Sequence, residues 1–159
     1  MNARQSKKIE KLYLHMYFKL FVYACSLLGN EALAEEAVQD TFNVACQKAD
    51  AVCGSQNPEG WLFNVLKHNI SNELRNRNNA KRILMDYFVT KDFDSSAFDN
   101  QISLEVMYSD LTDTEEFKIL KEMALEGRSY LEMAEARGIT VSACRKRVQR
   151  AKEFFKKNL

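Results

Sequence analysis

The segment SYLEMAEARGITVSACRKRVQRAKEFF, from Ser129 to Phe155, decides the fold class. Ser129 with Glu132 three residues on is a capping-box pattern, which opens a helix. Leu131 and Ala134 give that helix its apolar stripe, and Gly138 stops it in a tight turn. Beyond Thr140, the apolar positions Cys144, Val148, Ala151 and Phe155 recur at spacings of four and three, one face of a second helix. Two helices across a glycine turn make a helix-turn-helix candidate. Upstream, Thr112 or Asp113 before Glu115 and Glu116 is an acidic helix start, and Phe117, Leu120 and Ala124 form its stripe. The C-terminal part therefore reads as helices over about 113–125, 129–136 and 140–156.

In such a motif the first helix braces the second, which lies in the major groove of DNA. Away from the braced face, the second helix carries Ser142, Arg145, Lys146, Gln149, Lys152 and Lys156. Arginine grips guanine O6 and N7 with two hydrogen bonds, and glutamine reaches an adenine edge. The lysines suit phosphates, and Thr140 at the helix start suits a backbone phosphate near free amides. A charged C-terminal helix is also compatible with an ordinary solvated face, and that alternative stays open at this point.

The first half is helical by the same criteria. Ile9, Leu12, Met16, Leu20, Tyr23 and Leu27 form one row, and Tyr13, Tyr17, Phe21, Ala24 and Leu28 a second, until Gly29-Asn30. A second helix, about 31–49, starts with Glu31, Glu35 and Glu36 and buries the row Ala34, Val38, Phe42, Ala45 and Ala49. A polar loop, Cys53 to Asn57, leads to Pro58, which suits the first turn of a third helix capped by Asn57. That helix has Trp61, Leu62, Val65, Leu66, Ile70 and Leu74 on one side and Asn64, His68, Asn72 and Arg75 on the other. Trp61 either packs at a bundle end or stacks on unpaired bases, with Arg75, Arg77, Lys81 and Arg82 following a nucleic-acid backbone. From Asn76 polar residues take over, and a boundary is expected between Phe88 and Leu104.

Composition agrees. One proline and five glycines in 159 residues are too few for the turns of a barrel or sandwich, so an all-α fold is expected. Net charge is only +1, but its distribution is uneven: Ala143 to Leu159 carries +6 and Met85 to Asp110 carries −5. The four cysteines form no CxxC pair, and no apolar run nears about 18 residues, so a reduced, cytoplasmic protein is expected. His15 and His68 stand far apart, the carboxylates are scattered, and no glycine-rich phosphate loop or nucleophile motif occurs. No catalysis, metal or cofactor is expected.

Together these residues resemble the extracytoplasmic-function sigma factors, the short two-domain members of the sigma-70 family of bacterial RNA polymerase. The resemblance runs from about Leu12 to Phe155. Ala34-Glu35-Glu36-Ala37-Val38-Gln39-Asp40-Thr41-Phe42 resembles the helix that docks on the polymerase, which implies that Glu35, Glu36, Gln39, Asp40 and Phe42 face core polymerase. Trp61 to Arg75 resembles the segment that melts and reads the −10 element, with His68 and Asn72 departing from the usual Asn and Asp. The loop of about 51–57 matches the segment that captures a flipped base. The resemblance thus implies −10 contacts from Ser55, Gln56, Asn57, Trp61, Asn64, His68, Asn72, Arg75 and Arg77.

Glu126 to Ala134, the turn Gly138-Ile139-Thr140 and the helix Arg145 to Ala151 resemble the −35 reading domain. Its implied contacts are Ser129, Thr140, Ser142, Arg145, Lys146, Arg147, Gln149, Arg150 and Lys152. Glu116, Arg137 and Ala143-Cys144 depart from the family's usual Arg, Leu and Thr-Val. The expectation is an N-terminal helical bundle over 8–84, an acidic flexible linker over 85–107 and a helix-turn-helix domain over 108–156. Such a chain would be a non-catalytic initiation subunit whose partners are bacterial core RNA polymerase, promoter DNA and, as in many relatives, an anti-sigma factor. No stable homodimer is expected. Two rival readings remain: a stand-alone helix-turn-helix regulator with an N-terminal dimerisation or ligand bundle, and a degenerate sigma-like interaction module.

Overall fold

The computed structural model describes residues 1–90 and 114–157. Every regular element among them is an α-helix: α1 (Ala3–Leu28), α2 (Glu31–Gln47), α3 (Ala49–Gly54), α4 (Pro58–Thr90), α5 (Glu115–Ala124), α6 (Tyr130–Arg137) and α7 (Val141–Lys157). They fall into two compact units, Met1–Leu74 and Arg75–Leu159. Phe93, Phe98, Asp92, Asp94 and Asp99 of the expected linker lie outside the described residues, as do residue 108 and Leu111-Thr112.

In the first unit, local chemistry sets the helix ends. Asn2 and Gln5 form a reciprocal capping box at the start of α1. Gly29 ends α1 at φ +66°, a left-handed conformation that costs glycine little, and its N–H donates to Cys25 O. Asn30 then caps α2 by accepting from Leu33 N at 3.1 Å, so a two-residue link returns the chain against α1. The core unites Ile9, Met16, Leu20 and Ala24 of α1 with Ala34, Val38, Phe42 and Ala45 of α2, Val52 of α3, and Leu62, Leu66 and Ile70 of α4. Gln5 Nε2 reaches Asp50 Oδ1 at 2.5 Å and Lys8 Nζ reaches Cys53 O at 2.6 Å, tying the start of α1 to α3. The row expected on α1 is buried only in part, since Leu27 is exposed along with Leu14, Phe18 and Val22.

Helix α4 departs from the expected pattern. It does not give way at the polar run Asn76 to Asn79 but continues to Thr90. The reason is a second apolar row, Ala80, Ile83, Leu84 and Tyr87, at spacings of three, four and seven. These residues are buried in the core of the second unit with Phe117, Leu120 and Met123 of α5, Tyr130 and Met133 of α6, and Cys144, Val148, Ala151 and Phe155 of α7. The rings of Tyr87 and Phe155 meet edge to face with centroids 4.9 Å apart. Gly138, at φ +63°, terminates α6: Gly138 N donates to Glu135 O at 3.2 Å and Ile139 N to Ala134 O at 3.0 Å. The left-handed residue lets the chain reverse without strain. Thr140 then caps α7, its Oγ1 accepting from Ala143 N at 3.1 Å.

Leu84 is fully buried, and truncating such a side chain costs about 2–5 kcal/mol through lost transfer energy and a residual cavity. Leu84→Ala should therefore accelerate deuterium uptake across α5 and α7 by at least about 30-fold, while uptake in α1 stays unchanged. Unaltered exchange in α5 and α7 would show that residues 80–87 are not part of their core.

Candidate functional site

The outer face of α2 is acidic. Glu35 and Gln39 are exposed, and Glu36 and Asp40 are half-buried. Gln39 Nε2 donates to the Tyr13 hydroxyl at 3.3 Å, which fixes its carboxamide against α1. Glu36 and Asp40 line a small hollow with Ala37, Asn69 and Glu73. Burial pushes the Tyr17 phenol above its ordinary value, and the nearby Glu35 carboxylate pushes it the same way. Phe42 corrects one expectation. It is 5% exposed, with its ring 4.9 Å from that of Tyr13, and so it is a core residue rather than an aromatic anchor for a partner. The helical row Ala34, Val38, Phe42 and Ala45 already placed it there, and burial follows that row.

The loop before α4 divides its three polar residues between structure and solvent. Ser55 Oγ accepts from Asn57 N at 3.1 Å, and Asn57 Oδ1 accepts from Gly60 N at 3.1 Å as the helix cap. A Cβ at Gly60 would stand 2.5 Å from Asn57 Nδ2, so a side chain there would press the end of the capping Asn57 aside. Gln56 is exposed and makes no side-chain hydrogen bond among the described residues. Trp61 and Phe63 are half-buried and pack against the first core, so Trp61 is partly structural while keeping some exposed surface. His15 Nε2 lies 3.2 Å from Glu59 Oε1 beside this helix start.

Along α4, Asn64 and His68 are exposed and Asn72 is half-buried, one turn apart on one face. His68 Nε2 and Asn72 Nδ2 are 3.2 Å apart, so the two side chains meet one turn apart on this face. Arg75 follows, exposed, in the same helical row. Arg77 corrects a second expectation. It is 8% exposed and its Nη1 donates to Met123 O at 2.8 Å, so the guanidinium holds α4 to the end of α5 instead of facing DNA.

On α7, Ser142, Lys146, Arg147, Gln149 and Arg150 are all exposed. The Arg145 guanidinium lies over the Tyr130 ring at 4.9 Å, a cation–π contact that orients it. Gln149 Nε2 lies 3.5 Å from Glu153 Oε1. Thr140 spends its hydroxyl as the cap of α7. Ser129 and Lys152 correct further expectations: they are 1% and 7% exposed. Ser129 Oγ accepts from Glu132 N at 3.1 Å and its own N–H donates to Glu132 Oε1 at 3.2 Å, so both of its polar groups serve the cap of α6.

Arg137, a departure from the expected leucine, has a structural role that spacing could not reveal. Its Nε donates to Glu115 Oε1 at 2.7 Å, its Nη2 pairs with Glu122 Oε2, and its Nη1 donates to Met133 O at 3.2 Å. Arg128 Nη1 also approaches Glu122 Oε1, at 3.7 Å. Burial alone would lower the Arg137 pKa, but Glu115 and Glu122 outweigh it and hold the group above its ordinary value. Tyr130 and Tyr13, which position Arg145 and Gln39, likewise carried no sequence signal of that role.

Among the described residues, no cluster of His, Cys, Asp or Glu is placed to hold a metal ion, and no helix is long and apolar enough to cross a membrane. The four cysteines are free thiols, with Cys144 buried.

The first unit is all-helical, with an acidic face on α2 and a polar face on α4. Residues 12–80 match the family model for sigma-70 region 2, spanning α1 from Leu12, all of α2 and α3, and α4 to Ala80. The match covers less than half of the 159 residues and supports a member of the sigma-70 family. No curated protein and no solved structure matches the chain.

Removing the Arg137 guanidinium would leave Glu122, whose side chain is 17% exposed, without its nearest cation. Arg137→Leu should lower stability by about 1–3 kcal/mol, read as a lower urea midpoint. An unchanged midpoint would mean that this ion network adds nothing to the fold.

Proposed function

We propose that this chain is a sigma factor of the extracytoplasmic-function type, an initiation subunit that supplies bacterial RNA polymerase with promoter address and strand opening. The observation that carries the reading is the sigma-70 region 2 match over residues 12–80, which coincides with helices that leave an acidic face on α2 and a polar face on α4. The reading needs three surfaces, and side chains suited to each stand exposed.

Glu35 and Gln39, with Glu36 and Asp40 behind them, are acceptor-rich groups that suit a basic docking surface on core polymerase. Gln56 and the exposed part of Trp61, followed by Asn64, His68, Asn72 and Arg75, suit an unpaired −10 strand: an amide to read a base edge, an aromatic to stack on, and a cation for the backbone. Unstacking a base step costs a few kcal/mol, so base capture and polymerase contacts must together exceed that cost. On α7, Ser142, Arg145, Lys146, Arg147, Gln149 and Arg150 suit the major groove of the −35 element, with Gly138 and the Thr140 cap fixing the helix angle. Polymerase supplies the chemistry of RNA synthesis. A net charge of +1 fits this division of labour, because a chain that binds bulk DNA weakly when free is less often lost to random sites.

Reconstitution with bacterial core polymerase and a genomic promoter library, read by transcript start sites, tests the whole reading: a defined set of starts absent from core alone is expected. Glu35→Lys combined with Gln39→Ala should abolish co-elution with core polymerase while the circular dichroism spectrum stays native, and a variant that still co-elutes would overturn the docking surface. Arg147→Ala with Arg150→Ala should weaken binding to duplex promoter DNA by about 10-fold to 100-fold and reduce its salt dependence. Binding that is unchanged across a salt series would remove α7 from the DNA interface.

A further inference from the structure

Helices α5 and α7 flank an open cleft of about 210 Å³, lined by Glu115, Glu116 and Ile119 on one wall and by Arg147, Arg150 and Ala151 on the other. Its charges are unevenly committed. Glu115 is taken by Arg137, at 2.7 Å. Glu116, half-buried in the first turn of α5, forms no ion pair among the described residues, and neither does Arg147 or Arg150. One uncommitted carboxylate therefore lines the same cleft as two exposed guanidiniums without pairing with either. Such an arrangement adds no ion-pair stability, but it lowers the positive potential at the cleft mouth, where a phosphate approaching Arg147 and Arg150 would arrive. It also places a carboxylate at the helix N-terminus, where free amides and the helix dipole would otherwise attract that phosphate.

We infer that Glu116 is an electrostatic brake on DNA binding by α7: it repels backbone phosphate from Arg147 and Arg150 and keeps the affinity of the free chain for duplex DNA low. The inference rests on the proposed reading in which α7 faces DNA, and it adds a residue that tunes affinity without touching a base.

The test uses the full chain and a mixed-sequence 30-bp duplex followed by fluorescence anisotropy. Glu116→Gln removes the charge and preserves shape, and it should tighten binding about threefold to fivefold at low salt, with the gain shrinking as salt screens the repulsion. Glu116→Asp retains the charge and should bind like the parent chain. Glu10→Gln makes the same change in net charge on exposed α1 and should shift affinity much less. The gain from Glu116→Gln should also vanish when Arg147 and Arg150 are both replaced by Ala. If Glu116→Gln gains no more than Glu10→Gln while the double arginine variant weakens binding, the brake is wrong and α7 remains the DNA-binding helix. If the double arginine variant binds like the parent chain, both the brake and the placement of α7 on DNA fall.

Discussion

The apolar rows along α4 are the constraint on which the other surfaces depend. Leu62, Leu66 and Ile70 enter the core of the first unit, and Ala80, Ile83, Leu84 and Tyr87 enter that of the second. Each row sets the helical phase of its stretch and so decides which polar residues turn outward. Asn64, His68 and Arg75 are exposed, with Asn72 half-buried in the same row, because Leu62, Leu66 and Ile70 turn inward. Arg77 obeys the same logic from the other side: it falls near the start of the second row and is drawn inward to Met123 O. The polar face of the helix is thus selected by burial of its apolar rows, since a few kcal/mol of apolar burial per large side chain exceeds the 0.5–1.5 kcal/mol or so of a typical net hydrogen bond.

Much of the architecture follows from patterns of three and four residues in the chain. The all-helical class, the stops at Gly29 and Gly138, the start at Pro58 and the limits of α5, α6 and α7 all agree with the structure to within about two residues, because each has a local physical cause in a cap, a left-handed residue or a missing amide. The continuation of α4 is obscured by Asn76, Asn78 and Asn79, whose low helix preference looks like a break. Three of the positions from 76 to 79 face outward or lie at the edge, where poor propensity is tolerated, while the apolar row resumes beneath them at Ala80. Helix α3 is missed for a different reason: six residues are too few for a periodic signal.

The candidate surfaces are readable in kind but less so in detail. Exposed polar residues on α2, α4 and α7 stand where spacing places them, because facing is a periodic property. The exceptions are residues whose chemistry permits two roles. A serine at a helix start can cap or contact a partner, and Ser129 caps. A long basic side chain can lie along the fold or extend from it, and Arg77 and Lys152 are buried. Phe42 was drawn outward by resemblance and inward by periodicity, and its contact with Tyr13 follows periodicity. Arg137 shows the converse: a residue that breaks the expected pattern gains three polar partners that leucine could not make.

The interlocked turn of Ser55, Asn57 and Gly60 has an evolutionary corollary. Ser55 and Asn57 are tied into the turn, and a side chain at Gly60 would press on the capping Asn57, so changes at these three positions disturb the helix start. Gln56 bears no such duty, and its replacement would leave the helix start undisturbed. Drift at this tip would fall more readily on Gln56 than on those three, so descendants of this chain could diversify there by single substitutions without first acquiring a compensating mutation in the scaffold.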